Sequence, residues 1–111
     1  MGNQGLKVVK KKECIKMDIF GDGVARFYVE EKDMIMGTFT VPPGKKGSVD
    51  PGHPRTEIFY VVKGDMIVSL PEEKVCVEAE EGDTVLIPPN KPHQVINIGE
   101  GNLTIVFMYP L

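Results

Sequence analysis

The sequence lacks the long apolar segments and the basic tracts that mark membrane proteins and nucleic-acid-binding proteins. Its longest apolar runs are about four to six residues, whereas a membrane-spanning helix needs roughly 20. Residues 1–5 also lack the hydrophobic core of a signal peptide. The one basic run, residues 10–12, is followed by Glu13 in a chain of net charge −3. We therefore expect a cytoplasmic protein that binds neither membranes nor nucleic acid.

Cysteines and helical patterns are equally scarce. The two cysteines, Cys14 and Cys76, each fall within an alternating, strand-like pattern. Two cysteines outside a small secreted protein are more often buried thiols than a disulfide, so we expect reduced and buried side chains. No segment keeps a helical period for more than two turns. A disulfide framework and a long helix are therefore not expected.

Short segments rich in β-branched and aromatic residues are what the chain does contain. Twelve glycines and nine prolines separate these segments, and this rhythm is typical of an all-β sandwich or barrel. The predicted strands are residues 7–10, 14–19, 24–29, 34–41, 57–63, 66–70, 75–80, 84–87, 93–98 and 103–108. Alternation within them predicts a core that contains Phe59, Val61, Phe107 and Tyr109.

The length of 111 residues predicts one domain over residues 1–111, with residues 1–5 mobile. Turns that contain Gly and Asp favour antiparallel hairpins between the strands. Closing such strands into a barrel removes exposed sheet edges, and a barrel of this size can enclose one small ligand.

The second of only two histidines lies in a recognisable motif. Gly82, Pro88, His93 and Asn97 have the spacing of the second cupin motif, Gly-x5-Pro-x-Gly-x2-His-x3-Asn, and the segment resembles it in all but one position. Asn90 stands where the motif has Gly, and asparagine tolerates the left-handed backbone conformation better than other side chains. The alternative is that His93 is a hydrogen-bonded histidine at the rim of the barrel.

The first cupin motif is matched in part, within residues 47–64. Glu57 begins a complete Glu-x6-Gly half, but one histidine precedes it where the motif has two. Counting back from Glu57 makes His53 the second histidine and places Pro51 at the first. Counting forward from the first glycine makes His53 the first histidine and places Arg55 at the second. We prefer the former register, which keeps the family spacing between His53 and Glu57.

The resemblance to cupins implies an all-β fold, the double-stranded β-helix or jelly-roll barrel of antiparallel strands, with a site inside it made by His53, Glu57 and His93. Two histidines and a carboxylate form the facial triad that holds Fe(II) in many non-haem oxygenases. Mn, Ni, Co or Zn could bind the same divalent transition-metal site.

A metal shared by His53 and Glu57 requires the chain to bend between them. In a straight strand the two residues would lie about 13 Å apart. Pro51, Gly52 and Pro54 are residue types found where a strand is interrupted. A bend at residues 51–54 is therefore part of the metal hypothesis.

Arg55 adds a positive charge beside this site. A guanidinium group would repel a cation but could bind the carboxylate or phosphate of a substrate. We therefore expect a metal-binding cupin that binds or acts on a small polar, anionic metabolite. Oxygenase or isomerase chemistry would suit such a site, but the resemblance does not decide whether the protein is an enzyme. Three alternatives stay open. In the first, Arg55 pairs with Glu57 or with a surface acid, and no metal binds. In the second, a metal-free cupin binds or senses a ligand directly, and in the third the barrel only stabilises a dimer. The resemblance also implies a homodimer.

Overall fold

Residues 4–111 are described by a computed structural model, and they form nine β-strands and one short 3-10 helix, Lys11–Glu13. The strands are β1 (Lys16–Phe20), β2 (Gly23–Glu31), β3 (Met34–Val41), β4 (Glu57–Lys63), β5 (Asp65–Leu70), β6 (Val75–Glu80), β7 (Thr84–Ile87), β8 (Gln94–Asn97) and β9 (Leu103–Pro110). The all-β prediction is confirmed. The prediction that residues 1–5 are mobile falls largely on residues 1–3, which lie outside the described part of the chain.

The strands form two antiparallel sheets. The larger sheet has the order β1-β2-β3-β9-β4-β7, and the smaller has the order β6-β5-β8. The last strand, β9, lies between β3 and β4, paired with both. The strand order therefore departs from the chain order, as the jelly-roll architecture requires.

Both sheets contribute to one hydrophobic core because their strands alternate between buried and outward-facing side chains. Val61 and Ile105 from the large sheet and Met66 from the small sheet are fully buried. Phe59, Val61 and Phe107 lie in this core, as predicted, while Tyr109 is partly buried against it.

Two expectations from the sequence are wrong. Residues 7–10 form no strand, and Val8 is 75% exposed, because an alternating pattern needs a neighbouring strand before its backbone groups are paired. Cys14 and Cys76 are both free thiols, but Cys76 is exposed. It lies on β6, an edge strand on which every residue except Ala79 is exposed.

Within residues 4–111 no helix has the length and hydrophobicity needed to cross a membrane.

Candidate metal and ligand site

Glu57 is the first residue of β4, and its side chain points into the barrel. It alternates with the buried Phe59 and Val61, and side chains two residues apart share a face of a strand. The residue is only 6% exposed. An ionised carboxylate in such a position needs polar partners, because burying an unpaired charge is costly.

His53 reaches this carboxylate because the chain bends, as predicted. Residues 51–56 belong to no strand, and Gly52 has a positive φ of 91°. A side chain at position 52 would also come within 2.9 Å of the backbone nitrogen of Lys91. The bend brings Nε2 of His53 to 3.3 Å from Oε1 of Glu57.

His93 approaches the same oxygen from the loop before β8. It is 4% exposed, and its Nε2 lies 3.4 Å from Oε1 of Glu57. Asn90, in the turn that precedes it, has a φ of 62°, so the left-handed conformation expected at this position is present. The backbone N–H of Asn90 also donates to the carbonyl of His53 at 2.7 Å, which ties the two histidine-bearing loops together.

The three predicted ligands are therefore close together, around one carboxylate oxygen. Nevertheless, in the described range of residues 4–111 no group of three or more His, Cys, Asp or Glu side chains already has the arrangement of a metal centre.

The two rings carry their protons differently. The N–H of Arg55 donates to Nδ1 of His53 at 3.3 Å, so neutral His53 has its proton on Nε2, where it can donate to Glu57. Nδ1 of His93 lies 3.0 Å from the carbonyl oxygen of Lys91, to which it can donate. Nε2 of neutral His93 then presents a lone pair to the Glu57 carboxylate, and this contact becomes favourable when His93 is protonated.

The pKa of His93 agrees with this arrangement. Burial of the ring alone would lower the pKa, but the hydrogen bond with Glu57, the Lys91 carbonyl and the negative charges of Asp50 and Glu57 raise it above the ordinary value of 6.5. The positive form of His93 is therefore stabilised beside Glu57.

A cavity of about 130 Å³ opens above these groups. Its lining includes Asp50, His53, Glu57, His93 and Tyr109, together with several phenylalanines. This volume is close to that of an engineered protein cavity of about 150 Å³ that admits benzene. The cavity therefore has room for a ligand, or part of a ligand, of about six non-hydrogen atoms.

Asp50 and Tyr109 are among the lining residues that were not predicted from the sequence as site residues. Oδ2 of Asp50 lies 4.0 Å from Nε2 of His93, and the ring of Tyr109 packs on His53 with 4.6 Å between ring centroids. Burial and the charges of Glu57 and Asp50 raise the pKa of the Tyr109 phenol. The inward alternation of β9 indicated the direction of Tyr109 but not its contact with His53.

The structure does not bring Arg55 into the cavity. Its side chain is exposed and is not part of the lining, and its backbone N–H contacts His53. Asn97 is buried beyond the site, where its side chain bonds the backbone of Val41, Gly99 and Gly101.

Comparison with known proteins identifies the family. A family model described as a cupin domain matches residues 37–109. The chain belongs to the cupin family. This cupin is 38% identical over 66 residues to an uncharacterized protein from Methanocaldococcus jannaschii, an alignment that covers 60% of the chain and 51% of the relative. It is 37% identical over 100 residues to a glucose-6-phosphate isomerase from Sinorhizobium medicae, covering 78% of this cupin and 47% of the enzyme.

Solved structures agree on the fold. A structure described as a predicted oxalate decarboxylase from Thermotoga maritima superposes with a TM-score of 0.75 at 18% identity, covering 95% of this cupin and 99% of that chain. At this identity the likeness concerns the fold alone. This cupin spans about half the length of the curated relatives it matches.

Proposed function

We propose that this cupin acts as one domain over residues 1–111, holds a divalent transition-metal ion with His53, Glu57 and His93, and binds a small polar, anionic metabolite beside it. The convergence of two histidine nitrogens on one carboxylate oxygen, at 3.3 and 3.4 Å, carries this proposal. Ligand atoms bound about 2.0–2.2 Å from a tetrahedral metal ion lie about 3.3–3.6 Å from one another. The two distances from the histidine nitrogens to the shared oxygen of Glu57 lie within this range.

The donor atoms fit the ion after two proton adjustments. His53 would carry its proton on Nδ1 instead of Nε2 and give up its weak contact with the Arg55 N–H, and His93 would lose its extra proton. Two imidazoles and a carboxylate suit Fe, Mn, Co, Ni or Zn in their divalent forms. A bound ion of this kind supplies Lewis acidity toward an oxygen of the ligand.

The charge of the cavity makes anion binding dependent on a cation. Asp50 and Glu57 both line the cavity, and no Lys or Arg side chain of residues 4–111 is part of its lining. Two carboxylates repel an anionic ligand, whereas a divalent cation between them offsets their charge. We therefore expect a phosphate- or carboxylate-bearing metabolite to bind after the metal.

The names of the curated relatives favour isomerisation of a sugar phosphate as the reaction. Several of them are glucose-6-phosphate isomerases. A hexose phosphate is larger than the enclosed space of about 130 Å³, so we propose that the reacting carbons occupy the cavity and that the remainder extends through its open mouth.

A metal-free binding protein is the second candidate, and the proton positions favour it. The Nε2–H of His53 and a protonated His93 both bond Glu57 without any metal. In that case the histidines would bond the ligand directly.

The replacement Glu57→Gln separates the two candidates. Gln keeps the size of the side chain but removes the negative charge. Calorimetric titration with Mn²⁺, Co²⁺, Ni²⁺ and Zn²⁺, and with Fe²⁺ under anaerobic conditions, should give binding near one ion per chain for the wild type. We expect affinity to fall at least about tenfold in Glu57→Gln, whereas the exposed replacement Glu100→Gln should leave it unchanged. A wild type that binds none of these ions would reject the metal proposal and leave the metal-free candidate.

We also propose a homodimer formed through the outer face of the large sheet. Leu86, Ile58, Met108, Met36 and Val29 are successive partners in one row across five strands, and directly opposed residues project from the same face. Leu86 is 66% exposed and Met108 is 39% exposed. Polar side chains are usual on the outer face of a sheet. An apolar row there supports a dimer in which these side chains are buried against a second copy of the chain.

The opposite side of the molecule has a different character. The outer face of the small sheet carries Glu78 and Glu80 opposite Ile67 and Asp65. Charged residues are depleted at the centre of protein interfaces, so the large sheet is the better candidate for the contact. The cytoplasmic location and the absence of nucleic-acid binding stay predictions from the sequence.

A further inference from the structure

Asp50 is a carboxylate in the cavity that the three proposed ligands leave without a role. It precedes the bend at Gly52, on a segment that belongs to none of the nine strands between residues 4 and 111. Its position is nevertheless fixed by the backbone of His93.

An isolated antiparallel bridge joins the two residues. The N–H of Asp50 donates to the carbonyl of His93 at 2.8 Å, and the N–H of His93 donates to the carbonyl of Asp50 at 3.0 Å. Residues that exchange both bonds in this way stand directly opposite each other, and their side chains project from the same side. Because His93 points into the cavity, Asp50 does so as well.

The two carboxylate oxygens of Asp50 have different surroundings. Oδ1 accepts the N–H of Gly52 at 2.8 Å, which fixes the orientation of the group. Oδ2 lies 4.0 Å from Nε2 of His93, the nitrogen that also faces Glu57. The Asp50 side chain is 44% exposed, so it has space to move toward an ion bound at this nitrogen.

We propose that Oδ2 of Asp50 is a fourth protein ligand of the metal ion, an inference that rests on the function proposed above. A second carboxylate neutralises the remaining charge of a divalent ion already bound by Glu57, and oxygen ligands suit the same metals. The site would then consist of two histidines and two acids.

The replacement Asp50→Asn tests this assignment with little disturbance of the backbone. Asn keeps an oxygen that accepts the Gly52 N–H, but an uncharged amide NH₂ replaces Oδ2. Two readouts are needed: the Zn²⁺ dissociation constant, measured by competition with a chromophoric chelator, and the visible absorption spectrum of bound Co²⁺, which reports the number and geometry of its ligands. Asp33→Asn, in the exposed turn between β2 and β3, is the matched control.

We expect Asp50→Asn to weaken Zn²⁺ binding by about tenfold or more and to change the Co²⁺ spectrum, and Asp33→Asn to do neither. Asp50→Glu, which retains a carboxylate, should recover part of the affinity. If Asp50→Asn does not fold, Asp50→Ser supplies a second variant, since its hydroxyl can also accept the Gly52 N–H.

The outcomes separate this inference from the proposal beneath it. An unchanged Zn²⁺ affinity and Co²⁺ spectrum in Asp50→Asn, alongside loss of binding in Glu57→Gln, would overturn the role of Asp50 and leave the three-ligand site intact. Absence of metal binding in the wild type would overturn both.

Discussion

Oε1 of Glu57 lies 3.4 Å from Nε2 of His93, and the two side chains are 8% and 5% exposed. Groups buried this deeply lose most of their hydration, so each is stabilised by the other as well as by its remaining partners, His53 for Glu57 and the Lys91 carbonyl for His93. The contact is therefore a structural element of the metal-free protein as well as part of the candidate site.

The stability of the metal-free protein should depend on pH through His93. Its pKa is raised in the folded state, so its contribution to the free energy of unfolding is fully present below pH 6.5, the ordinary value, and is lost as pH rises through the folded-state pKa. Urea unfolding of chelator-treated protein, at pH values from about 5.5 to 8, measures this effect. The wild type should lose stability relative to His93→Gln as pH rises, and parallel profiles of the two proteins would contradict the prediction.

Asn97 should stabilise the fold without affecting the metal site directly. Its side chain donates to the carbonyls of Val41 and Gly101 and accepts the N–H of Gly99, at 2.8–3.0 Å. Asn97→Ala removes all three hydrogen bonds, of which the one to Val41 is fully buried, and the loss of a partner for a buried polar group costs about 1–3 kcal/mol. We expect a loss of at least about 2 kcal/mol in urea unfolding. The exposed Asn102→Ala should change little, and equal effects of the two replacements would show that the hydrogen bonds are unimportant.

Asn90 should be replaceable by Gly but not by Ala. Its φ of 62° places it in the left-handed region, which costs most residues with a Cβ roughly 1–2 kcal/mol. Asn90→Ala should therefore lower the free energy of unfolding by about 1 kcal/mol, whereas Asn90→Gly should lie close to the wild type. A comparison of urea midpoints decides the matter, and equal midpoints for the Ala and Gly variants would indicate that the turn has relaxed.

A charge in the apolar row of the large sheet should prevent dimerisation. Met108→Glu places a carboxylate in the proposed interface, and burying an unpaired charge there is unfavourable. Light scattering after size-exclusion chromatography should give twice the chain mass of 12.3 kDa for the wild type and the chain mass for Met108→Glu. Ile67→Glu, on the outer face of the small sheet, should remain dimeric. A monomeric wild type would contradict the proposal.

Much of the fold could be predicted because its signals are local. Strands β3, β4, β6 and β7 begin and end at the predicted residues, since alternation and turn residues define them directly. The segment 7–10 has the same local pattern, but no neighbouring strand pairs with it. Whether a segment pairs with another strand depends on the whole fold, so the sequence of that segment alone does not predict it.

The candidate site divides in the same way. The spacing of the motifs placed His53, Glu57 and His93 near one another. Asp50 could not be predicted as a site residue, because its contact with His93 depends on a β-bridge between segments that are distant in sequence. The direction of Arg55 was equally hidden, because the bend at Gly52 ends the alternation from which side-chain directions are inferred.

The central position of β9 in the large sheet affects the order in which the strands of the chain can pair. In the strand order of the large sheet within residues 4–111, β9 is the only connection between β1, β2 and β3 on one side and β4 and β7 on the other. The cavity takes its lining from both sides, with Phe39 on one and Glu57 on the other. Native pairings between segments so distant in the chain form slowly. The part of the cavity wall that Ile105, Phe107 and Tyr109 form is therefore synthesised after the proposed ligands His53, Glu57 and His93.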